Sequence, residues 1–160
     1  TVGRGVRRQI GGEVIRLPGR WCRCYGPEFD ASGLGVVRRH CRAGESVMDI
    51  GAHLGLFSVA MARLVGRSGR VYSFEPTDRI RAALESVVRL NHCGDWVEVR
   101  REAVGAGTTP VTRFYETDDP WSHANGLIRT SAPAEAPETL PNYHLGGRDV
   151  WQRIAALELA

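Results

Sequence analysis

Hydrophobic positions recur with two alternating periods along the middle of the chain. Val47-Met48-Asp49-Ile50 is a short apolar run with one carboxylate set in it. A glycine-containing turn follows at residues 51–55, and helical spacing begins at once: Leu56, Ala60 and Leu64, with Phe57 and Met61, share one face. Gly66-Arg67-Ser68-Gly69 ends that helix, and Arg70-Val71-Tyr72-Ser73-Phe74 reads as a second strand that Pro76 closes. Thr77 or Asp78 caps a second helix to Leu90, with Ile80, Leu84 and Val87 inward, and Asn91-His92-Cys93-Gly94 stops it. Trp96-Val97-Glu98-Val99-Arg100 alternates as a third strand. Upstream, Val14-Ile15-Arg16-Leu17 makes a short strand before the Pro18-Gly19 turn, and residues 28–43 form a helix weakened by Gly33 and Gly35. Strand, helix, strand, helix, strand predicts an α/β, doubly wound parallel sheet whose right-handed crossovers bring the strand tips to one edge.

The turn carries the candidate chemistry. Gly51 and Gly55 lack Cβ, so the backbone can turn sharply and a ligand can lie against it, facing the loop amides and the helix start. The pattern is D-x-G-x-x-x-G, with Asp49 where a dinucleotide fingerprint has glycine. A carboxylate there repels a pyrophosphate, which disfavours NAD, and tolerates a cation. S-adenosylmethionine carries a sulfonium and an ammonium and no phosphate. Glu75 falls 20 positions after Gly55, where a doubly wound sheet places an acid that accepts from ribose hydroxyls. The candidate cofactor set is Asp49, Gly51, Ala52, His53, Gly55, Glu75 and Pro76.

These residues also carry a resemblance. Asp49-Ile50-Gly51-Ala52-His53-Leu54-Gly55, the run from Gly66 to Pro76, Asn91, Val97-Glu98-Val99 and Ala103-Val104-Gly105 resemble the cofactor half of a class I S-adenosylmethionine-dependent methyltransferase, and more narrowly the FkbM family. The resemblance spans residues 28–130. It implies a Rossmann-like sheet with helices on both faces, and methyl transfer to a hydroxyl of a small molecule or sugar. It also implies that Glu102 and Ala103 flank the adenine, that the helix over 28–43 helps cover the cofactor, and that an insertion near 117–126 approaches the active site. The chain departs from the family after that point, where the acid-tipped fourth strand is not found, so the fold reads as incomplete toward the C-terminus. The division expected is a leader over 1–27, the cofactor domain over 28–130, and a proline-containing linker with a short helix over 131–160. The alternative is a truncated, non-catalytic cofactor-binding domain that needs a partner or further strands, with an open sheet edge that favours self-association.

Composition adds limits. Forty-two per cent hydrophobic and 24% charged residues describe an ordinary globular domain, and a net charge of +3 is too small to argue for nucleic acid. No apolar run reaches membrane-spanning length, and a cytoplasmic location is expected. All 21 basic residues other than histidine are Arg. Arg4, Arg7, Arg8, Arg16 and Arg20 read as a solvated, partly mobile leader. Cys22, Cys24, Cys41 and Cys93 lack zinc-knuckle spacing, so reduced thiols and no metal are expected. Methylating an alcohol needs alignment and a base. His53 and His123 are the candidates, with Asp118 and Asp119 behind them.

Overall fold

The structure is a computed structural model that describes residues 5–104 and two short strands at 114–115 and 126–127. The chain divides into two units, Thr1–Val104 and Gly105–Ala160.

The first unit begins with a hairpin. Strand β1 (Val6–Ile10) pairs antiparallel with β2 (Glu13–Leu17) across Gly11 and Gly12, with Arg7 opposite Arg16 and Arg8 opposite Ile15. Ile10, Ile15 and Leu17 are fully buried. A 3-10 turn at Gly19–Trp21 buries Trp21 and leads to Tyr25, also buried. This corrects the expectation of a solvated leader: Arg7 and Arg16 lie on the outer face, while Arg8 shares the inner face with Ile10, Ile15 and Leu17. Arg8 donates to the Cys22 carbonyl, and the Arg20 guanidinium lies 5.8 Å from the Trp21 ring.

Helix α1 (Ala31–His40) starts at Asp30, whose Oδ1 accepts from the Gly33 amide at 3.2 Å. It is shorter than the helix read over 28–43 because Asp30 sits in a left-handed conformation (φ 45°) and breaks the run before it. Strand β3 (Ser46–Ile50), helix α2 (Leu56–Val65), strand β4 (Arg70–Phe74), helix α3 (Asp78–Leu90) and strand β5 (Val97–Arg100) follow in alternation. The strands are parallel in the order β3-β4-β5, in register Val47–Val71–Val97 and Asp49–Ser73–Val99. The protein therefore has the α/β, Rossmann-like architecture that the pattern predicts.

Successive right-handed crossovers moving in one direction put α2 and α3 on the same face of the sheet. That face holds the buried Asp49, Val71, Ser73 and Val97. Among the described residues the opposite face, with Met48, Ile50, Tyr72 and Phe74, is only partly covered, and β3 and β5 are both edge strands. Helix α2 is buried on more sides than its expected stripe: Val59, Ala62 and Val65 are buried along with Leu56, Ala60 and Met61, while Leu64 is half-buried.

The hairpin is fastened to all three helices. Arg38 of α1 bonds Glu13 at 2.7 Å and the Gly11 carbonyl at 3.0 Å, and Arg63 of α2 reaches Glu13 at 3.2 Å. Asn91, just after α3, mimics a strand neighbour: its Oδ1 accepts from the Arg16 amide at 3.0 Å and its Nδ2 donates to the Arg16 carbonyl at 2.9 Å. In the second unit, β6 (Phe114–Tyr115) pairs antiparallel with β7 (Gly126–Leu127). The linker and helix read over 131–160 lie outside the described residues.

Candidate functional site

The carboxyl ends of β3 and β4 and the loop between β3 and α2 bring Asp49, the glycines, His53 and Glu75 together. Asp49 lies on the covered face of β3. Its Oδ2 accepts from Ser58 Oγ at 2.5 Å, and Ser58 Oγ accepts in turn from Ser73 Oγ at 2.9 Å. Both serines are fully buried, and Asp49 is 8% exposed. Burial pushes the Asp49 carboxyl up to about 6, against the lowering effect of the Ser58 bonds and with a smaller upward push from Glu75.

Glu75 follows β4 and is also buried. Its Oε2 accepts from the His53 amide at 2.9 Å and its Oε1 from the Thr77 amide at 3.0 Å. One carboxylate thus fastens the glycine loop to the start of α3. A carboxylate has about four acceptor positions, so two bonds leave room for further donors.

The loop amides are already engaged. Gly51 and Ala52 donate to the Phe74 carbonyl at 3.0 and 2.9 Å, and Gly55 donates to Ala52 at 2.7 Å. His53 donates to Glu75. This corrects the expectation that the loop amides face a ligand. The turn is a closed hydrogen-bonded unit and not an anion cradle, which agrees with reading the loop as one for a ligand without phosphate.

The two glycines do different work. Gly51 (φ 78°) is exposed, and a Cβ built on it meets nothing within 4 Å, so this is where a ligand can come close to backbone. Gly55 (φ 80°) faces inward, and a Cβ there would stand 2.4 Å from Leu84 Cδ1. Its smallness serves helix packing, not ligand approach. Ala52 is buried, and Pro76 is half-buried beside Glu75. Glu102 and Ala103 follow β5 and are exposed. His123, Asp118 and Asp119 lie outside the described residues.

Tyr25 is the residue that sequence reasoning missed. Its hydroxyl lies 2.7 Å from His53 Nδ1, and its ring stacks on Phe29 at 4.5 Å. No spacing rule joins two residues 28 positions apart, and only the docking of the N-terminal segment brings them together.

Among the described residues, no three His, Cys, Asp or Glu side chains gather to hold a metal ion, and no helix is long and apolar enough to cross a membrane. A shallow cavity of about 130 Å³ lies elsewhere, between the outer face of the hairpin (Arg7, Arg16) and the end of α3.

No protein-family model matches the chain. A curated protein from Caenorhabditis elegans, protein-L-isoaspartate O-methyltransferase, is 32% identical over 66 residues, which cover 41% of this chain. The matched part spans 29% of the length of that relative. Among solved structures, an S-adenosylmethionine-dependent O-methyltransferase from Thermotoga maritima is 21% identical, with a TM-score of 0.42, over 48% of this chain and 28% of its own. Fibrillarin from Aeropyrum pernix, solved with S-adenosyl-L-methionine bound, is 20% identical, with a TM-score of 0.40, over 64% of this chain and 42% of its own. At these scores the two structural likenesses carry no argument about function. What the chain itself establishes is a Rossmann-like parallel sheet whose glycine turn is clasped by a buried strand-end carboxylate.

Proposed function

We propose that the chain is the cofactor-binding part of an S-adenosylmethionine-dependent methyltransferase of the FkbM type, acting on a hydroxyl oxygen of a small molecule or sugar. One observation carries the reading. A buried acid at the tip of the second parallel strand, Glu75, is held against a glycine turn that offers open backbone at Gly51 but no phosphate cradle. That combination fits a ligand with ribose hydroxyls and a cationic end. The local likeness to an O-methyltransferase supports the same class and transfer to oxygen.

The residues present suit such a cofactor. Glu75 takes the ribose hydroxyls with its remaining acceptor positions, and Gly51 admits close approach. Ala52 and Pro76 wall the turn. Asp49 holds the turn from beneath through Ser58 and gives the region a negative character that suits an ammonium. Glu102 and Ala103 stand at the β5 tip, where they would flank the adenine. The cofactor, when bound, supplies an electrophilic methyl group on a sulfonium. The chain's own contribution is to align the two reactants and exclude other arrangements. His123 remains the candidate for taking the acceptor's proton. The net charge of +3 favours a small acceptor over nucleic acid, and the four free cysteines suit a reducing, cytoplasmic setting.

Calorimetric titration with S-adenosylhomocysteine tests the reading. Hydrogen bonds to a charged group are worth about 1.5–3 kcal/mol, so Glu75→Ala should weaken binding roughly tenfold to a hundredfold. Unchanged affinity in the variant would sink the ribose assignment, and a folded parent that binds nothing would sink the cofactor. A parent that binds but releases no S-adenosylhomocysteine with any of a panel of alcohols and sugars would favour the alternative, a non-catalytic domain completed by a partner. The open edges of β3 and β5 among the described residues are the observation behind that second reading.

A further inference from the structure

Tyr25 stands at the meeting point of the N-terminal segment and the glycine turn. It is 3% exposed, and its ring meets the His53 imidazole edge-on at 5.9 Å. Its oxygen lies 2.7 Å from His53 Nδ1. A phenol has one hydrogen to give, and a buried one needs an acceptor. Among the described residues, the polar atom positioned to receive its hydrogen is His53 Nδ1.

We propose that Tyr25 is a positioning residue of the site that fixes His53 as a hydrogen-bond donor, with the imidazole proton on Nε2. Neutral imidazole carries one N–H and one lone pair. The lone pair on Nδ1 is taken by the Tyr25 hydroxyl, so the proton resides on Nε2. The neutral ring then has no lone pair left for the proton of an alcohol. This moves His53 from the role of base, expected from the sequence, to that of donor toward an oxygen of the bound ligand. Burial also pushes the Tyr25 phenol well above its ordinary range, which keeps the shared hydrogen on tyrosine.

The backbone supports the assignment. His53 holds a left-handed conformation (φ 48°) that few residues other than glycine adopt. Its amide is held by Glu75 Oε2 and its ring by Tyr25, so the unusual conformation is fixed from two directions. Glu75 thus sets the backbone of the turn and Tyr25 sets the ring. The tautomer follows from the protein alone, and the role toward a ligand rests on the cofactor reading above.

Nitrogen NMR of the ¹⁵N-histidine-labelled 160-residue chain tests it, at a pH where the imidazole is neutral. His53→Gln identifies the resonance. In the parent, Nε2 should show a protonated shift and Nδ1 an unprotonated one. Tyr25→Phe keeps the ring packing and removes the hydroxyl. It should move both nitrogens toward the averaged tautomer mixture and weaken S-adenosylhomocysteine binding roughly threefold to tenfold, with cooperative thermal unfolding retained. A parent with the proton on Nδ1, or a Tyr25→Phe spectrum identical to the parent's, overturns the proposal. The expected tautomer shift with unchanged affinity overturns the positioning role. If Tyr25→Phe does not fold, the parent's tautomer decides. The expected tautomers without ligand binding by either protein would leave Tyr25 and His53 as assigned and reject the cofactor instead.

Discussion

Asp49 carries a charge that the fold disfavours. Its carboxyl is raised from 3.8 to about 6 by burial, so between those values the folded chain holds a proton that the unfolded chain has lost. Stability from this group is therefore present below about pH 4 and is lost as pH rises through 6, by about 3 kcal/mol in all. Asp49→Asn keeps an oxygen for Ser58 and removes the titration. In urea unfolding, the variant and the parent should have similar stability at pH 4, and the variant should be the more stable by about 2–3 kcal/mol at pH 7.5. A difference that does not change with pH would show that Asp49 is not charged at a penalty. This residue was legible in the sequence, as were Gly51 and Glu75, because a turn and a strand end are local patterns. The destination of the loop amides was not legible. It depends on the Phe74 carbonyl and the Glu75 carboxylate, which the fold supplies from the neighbouring strand.

At the scale of elements, Gly55 is the point where α2 and α3 meet. An added methyl would both strain a left-handed backbone and strike Leu84. The first effect is about 1–2 kcal/mol and the second, an overpacked core, about 1–3 kcal/mol. Gly55→Ala should thus lose about 2–5 kcal/mol of unfolding free energy. In a Leu84→Ala background, the same change should lose only the backbone part, a coupling that a double-mutant cycle reads directly. Full additivity would mean that the helices do not meet there. Helix α2 matched its expected bounds because glycines flank it on both sides. The β1–β2 hairpin was harder to read. Its outward positions are mainly Arg and Gln, and Ile10, Ile15 and Leu17 are too few to stand out until the pairing aligns them on one face.

At the scale of the molecule, that hairpin belongs to the core. Ile10, Ile15, Leu17, Trp21 and Tyr25 are all buried. At about 1.5–3 kcal/mol for each large apolar side chain, their removal would withdraw on the order of 10 kcal/mol, comparable to the whole stability of a small domain. A chain beginning at residue 28, the boundary expected from the sequence, should show no cooperative thermal transition by circular dichroism, while the full chain does. A cooperative melt of the shortened chain would return residues 1–27 to the status of a leader.

The closed hydrogen bonding of residues 51–55 has a consequence for how this site can change. A turn with its donors already committed has little freedom left to lose when a ligand arrives, so it is a preorganised wall. Its shape is set from behind, by the Phe74 carbonyl, the Glu75 carboxylate and the Tyr25 hydroxyl. Variation in those supports can retune ligand preference without altering Gly51, the residue proposed to meet the ligand. Natural drift and deliberate redesign would both find their latitude in the scaffold behind the loop, while the visible motif stayed the same.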